Sequence, residues 1–105
     1  MILELRIYTT FPNRRAEWLR YYEQNGLPIQ MRHLGKPVGF FTSEIGDLNQ
    51  VVHMWKYESL ADREARRHTL ARDPAWQQYV AKAPPLLLQS QRNQILSPTA
   101  FSALR

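Results

Sequence analysis

Val51-Val52-His53-Met54-Trp55-Lys56-Tyr57 is the stretch whose reading decides the fold. With a period of two, Val51, His53, Trp55 and Tyr57 point to one side, and Val52, Met54 and Lys56 to the other. The first side is aromatic and carries a titratable imidazole; the second is mainly aliphatic. A sheet centred on this strand needs cover on both faces, because either face left in water would be a large apolar patch.

Working outward, Val38 to Ile45 reads as a partner strand, joined through the turn residues Gly46-Asp47-Leu48-Asn49. The hairpin puts Phe40, Thr42 and Glu44 on the side of His53, and Phe41 and Ile45 on the side of Val52 and Met54. Ile2 to Thr10 alternates cleanly, with Leu3, Leu5 and Ile7 opposite Glu4, Arg6 and Tyr8. Arg14 to Asn25 carries Trp18, Leu19 and Tyr22 at helical spacing. Gly26-Leu27-Pro28 interrupts it, and Pro28 to Leu34 continues to the stop at Gly35: one kinked helix or two in succession. Ser59-Leu60-Ala61-Asp62 is a capping box opening a helix to about Ala71. Asp73-Pro74 starts a short successor with Trp76, Tyr79, Val80 and Ala83 on one face. Pro84-Pro85 ends it. The last strand, Leu86 to about Leu96, has an ambiguous register because Leu86, Leu87 and Leu88 are consecutive. Residues 97–105 read as an irregular tail that docks on the body or on a partner subunit.

The order strand, helix, strand, strand, helix, strand is the ferredoxin-like split βαβ plan. It is an α+β fold with a four-stranded antiparallel sheet and its helices on one face, formed by a single domain over residues 1–105. The absence of cysteine excludes a disulfide scaffold, a thiolate metal site and a cysteine nucleophile. The longest apolar run, Pro84 to Leu88, is far too short for a bilayer. Residues 1–5 enter a strand pattern directly, without signal-peptide features, so a cytoplasmic protein with no membrane attachment is expected. The net charge is +5, and eleven of the fourteen basic residues are arginine. Arg63, Arg66, Arg67 and Arg72 read as a solvated helix face turned away from the sheet. An RNA-recognition sheet would need a basic-Gly-aromatic strand motif that this chain lacks, so no nucleic acid is expected.

Helices cover only one face of such a sheet. The aliphatic set Leu3, Leu5, Ile7, Phe41, Ile45, Val52 and Met54 suits them, which leaves the aromatic face for a second copy of the chain. The expected product is a homodimer with a chamber between two sheets, suited to a small apolar or aromatic molecule. In that chamber His53 is the candidate acid or base, with Tyr57 and Glu44 to orient it or share a proton. Arg6, Tyr8, Phe40, Thr42 and Trp55 are the candidate binding residues, Arg6 to hold an anionic or enolate oxygen. Against this stand a packing role for His53 and a solid interface in which Arg6 merely pairs with Glu44 or Glu4. His33, His53 and His68 fall on three different elements, so no metal is expected. Phosphate-loop, dinucleotide and nucleophile-elbow motifs are absent, and no cofactor is called for.

Several separated segments resemble the NIPSNAP family. They are Ile2-Leu3-Glu4-Leu5-Arg6-Ile7-Tyr8-Thr9, Gly26-Leu27-Pro28-Ile29, Arg32-His33-Leu34-Gly35, Gly39-Phe40-Phe41-Thr42, Leu48 through Tyr57, and Asp73-Pro74-Ala75-Trp76. The resemblance covers nearly the whole chain and implies a dimeric α/β barrel of ferredoxin-like subunits. It implies no settled reaction and no catalytic set. Eukaryotic members are linked to mitochondria and vesicle traffic, roles not expected of a chain without a transit-like extension. The wider barrel superfamily includes cofactor-free monooxygenases, small-ring isomerases and haem-degrading enzymes, an analogy by fold alone. Three functions are weighed: a small-molecule-binding dimer with cofactor-free isomerase- or monooxygenase-type chemistry, a non-catalytic interaction module, and, least favoured, an RNA or phosphate binder drawn by the arginine cluster.

Overall fold

The computed structural model describes residues 1–105. The elements run β1 (Ile2–Thr10), α1 (Arg15–Tyr21), a π-helical turn (Tyr22–Gly26), α2 (Leu27–Leu34), β2 (Gly39–Thr42), β3 (Gln50–Tyr57), α3 (Leu60–Arg72), α4 (Pro74–Ala81) and β4 (Leu88–Leu96). One antiparallel sheet has the order β2-β3-β1-β4, the ferredoxin-like arrangement. No helix is long and apolar enough to cross a membrane.

Residue periodicity groups the side chains as expected, and the register sets Phe40 opposite His53, Arg6 opposite His53 from the other side, and Tyr8 opposite Val51. The faces, however, are assigned the other way round. The helices cover the aromatic face, not the aliphatic one. Val51, His53, Trp55 and Tyr57 are buried, as are Glu4 and Tyr8, and Trp18, Tyr22, Leu34 and Leu70 pack over them from the helices. Leu3, Leu5, Ile7, Val52 and Met54 remain only half-buried on the open face. The physical reason is the makeup of the helices. Trp18, Tyr22, Trp76 and Tyr79 give α1, the π-helical turn and α4 aromatic stripes, and rings pack on rings with a large buried area per residue. α3 also brings arginines to Glu4, so the buried polar groups of that face find partners there.

The arginine-rich helix is a second correction. Arg63 and Arg67 turn toward the sheet, while Arg66 holds Asp62 and the carbonyl of Leu34. β2 stops at Thr42, so Ile45 is not on the sheet and is almost wholly exposed. β4 starts at Leu88, because Leu86 takes a left-handed backbone (φ 59°) and Leu87 alone of the three leucines enters the core.

Local signals set the helix ends. Ser59 Oγ accepts from the Asp62 amide, the expected cap, and an Asp62 oxygen accepts from the amide of Glu58, one residue before the cap, rather than from that of Ser59. Asp73 caps α4 through the Ala75 amide and also receives His33 Nε2 at 2.7 Å, tying α2 to the α3–α4 corner. Between α1 and α2 the chain does not break. The Leu27 amide reaches back to the Tyr22 carbonyl, a five-residue step that passes Pro28, which has no amide hydrogen of its own. Gly26 sits in this turn against Tyr79. A Cβ there would lie 2.6 Å from the Tyr79 Cζ atom. Swinging the Tyr79 ring aside would disturb its stacking on Tyr21 and its contact with Trp76. Gly26→Ala should therefore lower stability by about 1–3 kcal/mol through overpacking, read as a fall in thermal midpoint. An unchanged midpoint would mean that the Tyr79 ring moves freely.

The tail is held mainly by itself, with Arg105 donating to the carbonyls of Ala100 and Ser102. Leu104 lies beside Met1 and Leu3 at the sheet margin, and Phe101 is exposed.

Candidate functional site

The covered face holds three connected features: a ring cage around His53, a cavity beside it, and an arginine cluster around Glu4. His53 is 1% exposed. The rings of Phe40, Tyr22, Tyr8 and Trp18 surround it at centroid distances of 4.4, 4.8, 5.0 and 5.6 Å. Neither ring nitrogen has a hydrogen-bond partner in the protein. Burial first, then the positive charges of Arg6 and Arg67, push the imidazole pKa down to about 3. At neutral pH it is uncharged.

The cavity lies between the sheet and the helices, with a volume of about 370 Å³. Its walls are chiefly Tyr8, Trp18, Tyr22, Trp76, Tyr79 and Leu87, with Arg6, Gln30 and Gln91 as polar points. Leu86 and Val80, both more than half exposed, stand at its rim. Burial raises the Tyr22 and Tyr79 phenols well above their ordinary range, so both are neutral donors. The Tyr22 hydroxyl donates to Gln30 Oε1.

Glu4 is wholly buried and accepts five hydrogen bonds. They come from Arg6 Nη1 (2.9 Å), Arg63 Nε and Nη2 (3.1 and 2.9 Å), Arg67 Nη2 (3.2 Å) and Asn93 Nδ2 (3.2 Å). Burial alone would raise its pKa, but the Arg63 hydrogen bonds and the charges of Arg67, Arg6 and Arg63 outweigh that and hold the carboxyl below its usual value. Arg6 Nε donates to the Tyr8 hydroxyl at 2.8 Å, and Arg67 Nε to the Tyr57 hydroxyl at 3.2 Å.

Of the residues singled out in the sequence, Arg6, Tyr8, Phe40, His53, Trp55 and Tyr57 come together on the covered face. Only Arg6 and Tyr8 among them line the cavity. Tyr57 is turned to Arg67 rather than to His53. Thr42 is exposed at the end of β2, and Glu44 is exposed in the β2–β3 loop beyond the strand. Neither reaches His53: the loop leaves the sheet before a carboxylate at position 44 can face inward. Arg6 pairs with Glu4, not Glu44. His33 is engaged with Asp73 and His68 is exposed on α3, so the three histidines stay apart. Sequence reading did not assign Trp18, Tyr22, Trp76 and Tyr79 to the site. Their helical spacing was visible, and the missing signal was which face of the sheet those stripes would meet.

A ferredoxin-like α+β subunit with an aromatic cavity between sheet and helices is the class this geometry defines. The NIPSNAP family model matches residues 3–103, and the chain belongs to that family. A NIPSNAP-like domain protein of Burkholderia xenovorans is 46% identical, with a TM-score of 0.89, covering 96% of this chain and 87% of that one. A NIPSNAP family protein of Agrobacterium tumefaciens is 43% identical at a TM-score of 0.92, covering 99% and 98%. The Drosophila melanogaster protein NipSnap is 35% identical over 102 residues, 96% of this chain and 36% of its own length. The chain spans about a third or less of the curated relatives it matches, 19% of the Caenorhabditis elegans one and 35% of the Dictyostelium discoideum one. A Nitrosomonas europaea protein shares the fold at 14% identity and a TM-score of 0.63.

Proposed function

We propose that this protein binds a small apolar or aromatic molecule in the cavity between its sheet and helices, and does so as a homodimer formed through the open face of the sheet. The observation that carries the binding reading is the cavity itself: about 370 Å³, walled by aromatic rings, with one guanidinium reaching it. Concave, mostly apolar sites of about 300–1,000 Å³ with few polar points are the usual form of a ligand pocket. The dimer reading rests on Leu5, Ile7, Val52 and Met54, which are only half-buried on a flat face and have no covering element within the chain.

Binding comes before catalysis in this reading. His53, the candidate base, is neutral and stands behind the rings rather than on the cavity wall. The polar groups that do reach the cavity suit recognition better than proton transfer. An interaction module is the second reading, supported by the exposed Ile45, Leu48 and Phe101.

Calorimetric titration with neutral 2-naphthamide tests the choice. The wild-type chain should bind it, and Val80→Trp, which crowds the rim from an exposed position, should weaken binding about tenfold or more without altering the melt. No binding by the wild type, or equal binding by both, would favour the interaction module.

A further inference from the structure

The polar end of the cavity is more positive than its own acid can balance. Glu4 is the one carboxylate in contact with Arg6, Arg63 and Arg67. It already accepts five hydrogen bonds, which saturates the roughly four lone-pair sites of a carboxylate. Arg63 also feels Glu64. Arg6 and Arg67 have only Glu4 and the phenol oxygens of Tyr8 and Tyr57. Each spends two hydrogen bonds this way, of the five donors a guanidinium carries. Buried charges are ordinarily paired, because an unpaired one costs solvation free energy. Arg63 and Arg67 reach solvent at the surface, whereas Arg6, the most buried of the three, lines the cavity, and an anion there would balance its charge.

We propose that Arg6, supported by Arg67 and Arg63 around Glu4, receives the carboxylate of an aromatic acid whose ring system lies among Trp18, Tyr22, Trp76 and Tyr79. This rests on the reading of the cavity as a ligand site and names the class of ligand. Tyr8 holds the Nε of Arg6 and Glu4 its Nη1, so the plane of the guanidinium is set before a ligand arrives and Nη2 is the nitrogen left to donate to a carboxylate oxygen. The two parts of the ligand would be recognised by different chemistry: the ring by stacking and apolar contact, the head group by charge-assisted hydrogen bonds.

The test compares 2-naphthoate with 2-naphthamide, which share shape and differ in charge, by calorimetry on the full chain at neutral pH. The wild type should bind the acid about ten- to a hundredfold more tightly than the amide, the ratio that one charge-assisted hydrogen bond supplies. In Arg6→Met that ratio should collapse to within about twofold while amide binding persists. Arg6→Lys keeps the charge beside Glu4 and guards against a folding defect; it should retain only part of the preference, since a single ammonium cannot hold Tyr8 and Glu4 and reach the ligand in the planar geometry of a guanidinium. Equal affinity of the wild type for acid and amide would overturn this inference and leave the cavity reading standing. A preference undiminished in Arg6→Met would overturn it as well. Failure to bind either compound would remove both.

Discussion

Glu4→Gln should destabilise the domain by about 3–5 kcal/mol, the cost of removing one partner from a buried ionic cluster. The amide keeps the shape but leaves three guanidinium groups without a negative charge among them, and it turns two acceptor oxygens into one. Against a total stability of about 5–15 kcal/mol for a single domain, that is a large fraction. Urea unfolding at neutral pH should show the midpoint shifted strongly down with little change in slope. The same carboxyl sets an acid limit. Its folded pKa lies below the ordinary 4.5 of a glutamate, so its contribution is fully present above that value and disappears as pH falls through the folded-state pKa. Glu4→Gln should abolish this lower part of the acid transition. A loss under about 1 kcal/mol would mean that the arginines are held by something other than Glu4.

The second large effect comes from His53 and acts at milder acidity. The unfolded imidazole takes up a proton below about pH 6.5, whereas the folded one resists until about pH 3. Between these values the unfolded state binds more protons, so stability must fall as pH falls, by about 1.4 kcal/mol per unit in the steepest part. Above pH 6.5 the term is constant. His53→Leu should flatten this slope. At pH 7 it should leave stability unchanged or raise it by about 1–2 kcal/mol, because it removes two buried nitrogens that have no partner. Stability measured by urea unfolding from pH 7 to pH 4 in both proteins checks the pair of expectations. A leucine variant much less stable than wild type at pH 7 would show that the imidazole makes favourable contacts its geometry does not display.

The sequence made the order of elements readable because its local signals agree with one another. Ser59 caps α3 on the Asp62 amide as the spacing implies, Asp73-Pro74 opens α4, and the alternation in β1 and β3 fixes which residues share a face. Sidedness was not readable. Both faces of β3 are apolar, so a period of two separates Trp55 from Met54 without saying which one meets the helices. The deciding information lay at long range. Arg63 and Arg67 look like a charged helix surface until Glu4, about sixty residues earlier, is known to sit beneath them. Glu44 was placed with His53 by extending the strand pattern past Thr42, where Ser43 to Asn49 instead leave the sheet. The cavity could not be foreseen for the same reason: Trp18, Tyr22, Trp76 and Tyr79 come from three helical segments, and only tertiary packing brings their rings together.

Alternation along β1 has a further consequence once the helices are known to lie over Glu4, Arg6 and Tyr8. Even-numbered positions speak to whatever occupies the interior, and odd-numbered ones, Leu3, Leu5 and Ile7, to whatever docks outside. A single ply of backbone thus separates two tasks. The cavity is lined by one chain alone, so in the proposed dimer guests should bind one per chain and independently of one another.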